Sequence, residues 1–192
     1  MLKSKLFFGL ATSMAGLVAI SNFLVQFPVS YFGMENVLTY AAFTYPITFL
    51  ITDLANRKYG KSTAKQVVYL GFFTGILLTL YFSTNFKDLI SIRIAIGSGT
   101  AFLFAQLLDV NIFDILRRKI WFVAPLISSS IGSLVDTFLF FSISFYNTEM
   151  PWLTLAMGDL VVKLIMAMLM LIPFRLFLNK ITDGAELSAK IS

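Results

Sequence analysis

Five ionisable side chains stand inside apolar stretches of this 192-residue sequence: Asp53, Asp109, Asp136, Asp159 and Lys163. A charge within bilayer hydrocarbon costs a few kcal/mol or more unless it is paired or meets water, so each is a candidate for binding or proton transfer. Asp159 and Lys163 are spaced i, i+4 on one helix face, which permits either an ion pair within the helix or a binding role. Asp136 has no charged residue three or four positions away and is the leading candidate for a ligand-binding carboxylate. Asp53 with Arg57, and Asp114 with Arg117 or Arg118, have the spacing of local ion pairs and read as structural. His and Cys are absent, which removes imidazole catalysis, thiol nucleophiles, disulfides and the common zinc ligands. What is left is the chemistry of carboxylates, amides, hydroxyls, Lys and Arg. No metal, no cofactor and no enzymatic activity are expected. Gly60-Lys61-Ser62 imitates the end of a phosphate-binding loop, but the position that must hold the loop's first glycine is Ala55.

The elements that must carry these residues follow from composition. Hydrophobic residues make up 58% of the chain and charged residues 13%, against roughly 25% charged in a soluble domain, and the mean hydropathy is +0.84. Six stretches approach the about 20 apolar residues that cross a bilayer: residues 6–28, 37–56, 66–82, 93–110, 121–145 and 152–177. The fold class is therefore all-α, an integral membrane bundle of six transmembrane helices in a single domain over residues 1–192. The first stretch exceeds the roughly 7 to 15 residues of a signal-peptide core and reads as a retained helix. Of 15 basic residues, Lys3, Lys5, Arg57, Lys58, Lys61, Lys65, Arg117, Arg118, Lys119, Arg175, Lys180 and Lys190 fall on one side of that topology. The opposite loops hold Lys87, with Arg93 at a helix end. The basic side faces the cytoplasm, which places both termini there. The net charge of +5 thus reflects membrane topology, and no nucleic-acid partner is expected.

At about 1.5 Å of rise per residue, Asp136 lies roughly 22 Å along its span, and Asp159 and Lys163 roughly 10 and 16 Å down theirs, in one outer layer. Ser21, Asn22 and Gln26 reach the same layer, and Arg93 sits at its mouth. Asp53, Asn56, Gln106 and Asp109 fall into an inner layer on the cytoplasmic side, where a coupling role is conceivable. Gly71 and Gly75, the run Ser128 to Ser133, and Ala11, Ala15 and Ala19 are small-residue spacings whose ordinary meaning is close helix packing.

Several blocks of residues, in order along nearly the whole chain, resemble the queuosine precursor transporters, the vitamin-uptake-like or VUT family. They are Ser21-Asn22-Phe23-Leu24-Val25-Gln26-Phe27-Pro28-Val29-Ser30; Phe43-Thr44-Tyr45-Pro46 with Thr52-Asp53-Leu54 and Tyr59-Gly60; and Arg93-Ile94-Ala95. The series continues with Gln106-Leu107-Leu108-Asp109-Val110 and Phe113, then Trp121, Ala124-Pro125, Ser129 and Asp136-Thr137, and ends with Asp159, Lys163 and Pro173. The resemblance implies a bacterial inner-membrane importer of 7-deazaguanine bases, 7-cyano-7-deazaguanine above all and its aminomethyl relative second, salvaged into tRNA queuosine. The candidate substrate-binding residues are then Asp136, Asp159, Lys163, Asn22, Gln26 and Arg93. The family is similar in architecture to the S components of energy-coupling-factor transporters, in which a small-residue stripe on the first helix touches a partner subunit. Ala11, Ala15 and Ala19 are the corresponding candidates here. The alternative function is therefore an S component that depends on an ATPase module, and the protein partners to consider are an energy-coupling subunit or a second copy of the chain. A guanine-like base offers adjacent N–H donors to a carboxylate and needs a donor, such as Lys, Asn or Gln, for its carbonyl.

Overall fold

The structure is a computed structural model that describes the backbone of residues 2–25, 27–31, 34, 38–82 and 89–191, with side chains over 7–25, 27–31, 34, 38–78 and 92–178. The described residues are helical throughout, apart from turns and one isolated bridge between Pro28 and Thr39. In chain order the helices are α1 (Leu2–Leu24), α2 (Ala41–Thr44), α3 (Pro46–Tyr59), α4 (Lys61–Phe82), α5 (Leu89–Leu116), α6 (Val123–Phe145) and α7 (Trp152–Ile191). Among the described residues, four of them contain a stretch long and apolar enough to cross a membrane: Phe7–Leu24, Ile92–Leu116, Val123–Phe145 and Trp152–Leu178.

Two expected boundaries move, each for a local reason. The first stretch leaves the helix after Leu24, and Pro28 joins the bridge instead of continuing a span to residue 28. The second is not one helix from residue 37. Its helical part begins at Ala41 and is interrupted before Pro46, whose ring removes the N–H that would bond back to Ala42. Tyr45 keeps helical dihedrals (φ −59°, ψ −42°), so α3 continues the direction of α2 across the interruption. Gly60 ends α3 with φ +87°, a conformation that suits glycine, and its N–H closes on the Asn56 carbonyl at 2.9 Å. The chain reverses there directly into α4.

Close packing of α1 on α4 follows from the glycines. A Cβ at Gly71 would come within 2.3 Å of Met14 Cγ, and one at Gly75 within 2.8 Å of Val18 Cβ. The same contact gives the alanine stripe its packing meaning: Ala11 and Ala15 are buried, Ala15 against Gly71, and Ala19 is half-buried. Next to it, Phe72 stacks on Phe102 at 5.8 Å with 7° between the rings, and Tyr45 meets Phe102 edge-on at 5.9 Å.

The exterior is apolar along whole helix faces. On α7, Leu153, Met157, Val161, Ile165, Met168, Ile172 and Leu176 are all exposed at three- and four-residue steps, a stripe that only lipid or another apolar surface can cover. Aromatic residues mark its two ends. Trp121 lies under the Arg175 guanidinium at 4.9 Å, and Tyr146 meets Trp152 at 6.4 Å, the amphipathic pairs expected at membrane interfaces.

Candidate functional site

Polar residues buried in this bundle form two clusters joined by α6. Ser129, Ser133 and Asp136 lie along one face of α6 at steps of four and three residues, and all three are buried. Asp136 belongs to the cluster nearer the α6 C-terminus and Ser129 to the other, roughly 10 Å apart along the helix.

In the first cluster, Lys163 of α7 lies between two carboxylates. Its Nζ is 2.8 Å from Asp136 Oδ2 and 2.5 Å from Asp159 Oδ2, and it donates to Thr137 Oγ1 at 3.2 Å. Thr137 donates in turn to Asp159 Oδ2 at 2.8 Å. The Lys163 ammonium also sits 5.2 Å over the Tyr45 ring. Asp159 and Lys163 therefore do pair along their helix, and the pair extends across to Asp136. It follows that removing Asp159 would not strand Lys163, which keeps Asp136. Asp136 Oδ1 is buried without a hydrogen-bond partner. With both carboxylates ionised the triad carries net charge −1, and its free acceptor stands within reach of the Tyr45 hydroxyl or of a donor in the adjoining cavity.

A cavity opens beside that acceptor. Its walls include Asp136, Asp159, Lys163, Tyr45, Asn22 and Ser98, with Phe140 and Phe141 as apolar sides. Asn22 accepts a hydrogen bond from Ser98 at 2.6 Å, which ties α1 to α5, and Ser21 and Thr44 hydroxyls meet at 2.8 Å to tie α1 to α2. The free volume is about 30 Å³, enough for a water or two and far less than a bicyclic base needs.

Of the residues expected here from sequence, Asp136, Asp159, Lys163 and Asn22 converge on this cavity. Gln26 lies outside the described residues. Arg93 does not line the cavity. It donates to the carbonyls of Ile143 at 3.0 Å and Tyr146 at 2.7 Å, closing the C-terminal end of α6, where free carbonyls favour a cation. Tyr45, Ser98 and Thr137 were not singled out. Tyr45 carried a signal in its position before the span-breaking Pro46, and Thr137 in adjoining Asp136. Ser98 had none.

The second cluster holds Asp53 of α3 and Asp109 of α5, both buried and facing each other. Ser129 donates to Asp53 Oδ2 at 3.2 Å and Ser128 to Asp53 Oδ1 at 3.4 Å, while neither oxygen of Asp109 closes a hydrogen bond. The expected Asp53–Arg57 pair does not form. The Arg57 guanidinium instead donates to the Arg117 carbonyl at 2.7 Å, capping the end of α5. Burial, then the neighbouring Arg117 guanidinium, holds Arg57 below the usual arginine range. Asp114 and Arg117 do pair, at 3.3 Å. Gln106 lies between the clusters, accepting from Thr52 at 2.6 Å and donating to Thr48 at 2.7 Å, so it braces α3 on α5.

A family profile described as "Putative vitamin uptake transporter" matches residues 39–178. The chain is 33% identical to a "Probable queuosine precursor transporter" of Haemophilus influenzae, over 82% of this chain and 79% of the relative. It is 29% identical to the "Queuosine precursor transporter" of Escherichia coli, over 90% of this chain and 88% of the relative. A "Probable queuosine precursor transporter" of Bacillus subtilis is 28% identical, over 88% and 82% of the two chains. No solved structure gives a significant match.

Proposed function

The chain belongs to the vitamin uptake transporter family, and from that premise we propose that it imports queuosine precursors across the bacterial inner membrane. The substrate of this reading is a 7-deazaguanine base, 7-cyano-7-deazaguanine first and the aminomethyl base second. The chain would cross the membrane six times, with α2 and α3 acting as one span and both termini in the cytoplasm, so that the Asp136 cavity opens toward the outer side. The names of the relatives support the substrate class.

The single observation that carries a base-binding role is the Lys163 triad with Asp136 Oδ1 unpartnered beside a cavity. A guanine-type edge supplies what this arrangement lacks. Its N–H donors meet Asp136 Oδ1 and the neighbouring carboxylate of Asp159, and its carbonyl accepts from Asn22. Burying such an edge unpaired would cost roughly 2 to 7 kcal/mol per group. Phe140, Phe141 and Tyr45 offer ring surfaces to the faces of the base.

Uptake of labelled 7-cyano-7-deazaguanine by cells unable to make it, with and without this protein, tests the reading. Uptake that depends on the protein is expected. Equal uptake in both, with the protein present and folded in the membrane, overturns it.

A further inference from the structure

Around Asp53 and Asp109 the bundle holds buried acceptors in excess of donors. Asp109 Oδ1 and Oδ2, Asn56 Oδ1 and Ser133 Oγ are all buried and unpartnered, against one unpartnered nitrogen, Arg57 Nε, a turn beyond Asp53 on α3. Ser133 is 1% exposed and lines a cavity of about 10 Å³ together with Asp53 and Ser129, room for about one water. No Lys or Arg nitrogen among the described residues comes within 4.0 Å of either carboxylate. The charged groups about the pair are Arg57, one turn beyond Asp53 on α3, and Arg117, just past the end of α5, which is drawn off by the carbonyls of Asn56 and Arg57 and by Asp114. From α6 the pair meets only serine hydroxyls, and α7 closes the cavity with Ala167, Met170, Leu171 and Phe174.

Two buried carboxylates that face each other without a cation repel, and in a low-dielectric interior this is costly for both. The structure assigns the missing charge to a guest: we propose that Asp53 and Asp109 hold one monovalent cation between them, a proton or a sodium ion, taken up and released as the transporter turns over. A proton would be shared between the two carboxyl groups. A sodium ion would use their oxygens with the Ser128 and Ser129 hydroxyls, an all-oxygen set suited to a hard cation. This deepens the transport reading by giving it an ion to couple to, and the occupancy of the site can be read without any substrate.

The test uses full-length protein reconstituted in lipid vesicles, compared with Asp53→Asn and Asp109→Asn. Each substitution keeps the shape and removes a charge that has no partner cation, so both variants are expected to fold. Infrared difference spectra against each variant are recorded across pH, in sodium and in choline. A carbonyl band of one protonated carboxyl, lost in either variant, supports a proton. A carboxylate band that shifts only in sodium, and only with both aspartates present, supports sodium. Two ionised carboxylates indifferent to both ions overturn the proposal, whatever the substrate proves to be. In cells, the wild type should concentrate labelled 7-cyano-7-deazaguanine and lose that gradient on addition of a protonophore or on sodium removal. The Asp109→Asn protein should bind the base as before yet only equilibrate it. Accumulation by Asp109→Asn equal to the wild type would overturn the coupling. Failure of the wild type to bind the base at all would instead count against the transport reading and leave the spectroscopic result standing.

Discussion

Lys163→Met is the substitution whose outcome the geometry fixes most tightly. All three ammonium protons are committed, to Asp136 at 2.8 Å, Asp159 at 2.5 Å and Thr137 at 3.2 Å, and the lysine is 4% exposed. Breaking a buried ion pair by removing one partner costs about 3 to 5 kcal/mol, because the remaining charge is left uncompensated. Here two carboxylates are abandoned at once, so the loss should reach the top of that range. Asp136→Asn and Asp159→Asn each leave a neutral pair around Lys163 and should cost only one charge-assisted hydrogen bond, about 1.5 to 3 kcal/mol. Combining Asp136→Asn with Lys163→Met removes one abandoned carboxylate while Asp159 keeps its bond from Thr137, so the double variant should be more stable than Lys163→Met alone. Equilibrium unfolding of the purified proteins in detergent gives the order. Lys163→Met as mild as Asp136→Asn, or a double variant whose losses simply add, would refute the shared clasp.

Three further outcomes follow from the same coordinates. Asp136→Asn should weaken binding of 7-cyano-7-deazaguanine by about tenfold to somewhat over a hundredfold, the equivalent of one hydrogen bond to a charged group, and equal affinity in calorimetric titration would remove Asp136 from the site. Gly71→Ala puts a Cβ within 2.6 Å of both Met14 Cβ and Met14 Cγ, so α1 must shift off α4 at a cost of about 1 to 3 kcal/mol, read as a lower unfolding midpoint. Gly9→Ala, which meets nothing within 4 Å inside α1, is the control that should hold or slightly raise the midpoint. A reporter fused after Ser192 should read as cytoplasmic, and a periplasmic signal would invert the proposed topology.

The parts of this site that could be read from sequence were those set by position along one helix. The i, i+4 step from Asp159 to Lys163 gave their contact directly, and the Gly71 and Gly75 spacing marked a face of close helix packing without naming α1 as its partner. Contacts between helices were not legible in the same way. That Lys163 also reaches Asp136 depends on the rotation of α6 against α7, which no single-helix periodicity fixes. The two arginine misreadings share a cause. Arg57 and Arg93 both have carboxylates or a cavity nearby in sequence terms, yet each is claimed by the bare carbonyls at the end of another helix. A long guanidinium with five donors is drawn to such ends, and sequence does not show which helix end lies beside which arginine. Tyr45 was missed because aromatic residues abound here, 21 of them Phe and 7 Tyr, so an aromatic in itself carries no mark of a site.

The unequal charge of the Lys163 triad has an electrical consequence. With both carboxylates ionised, they and the one ammonium leave the unladen site at −1, and a neutral base does not change that sum. The triad need not travel for the membrane voltage to act on it. When access passes from one side to the other, the water-filled vestibule relocates and the voltage drop falls across a different part of the bundle. An elementary charge crossing the full drop is worth about 2.3 kcal/mol per 100 mV, and even a fraction of that is comparable to the free energies that separate conformers. With the cell interior negative, the field pushes this charge outward. On the proposed topology, resting voltage would therefore bias the empty carrier toward its outer face.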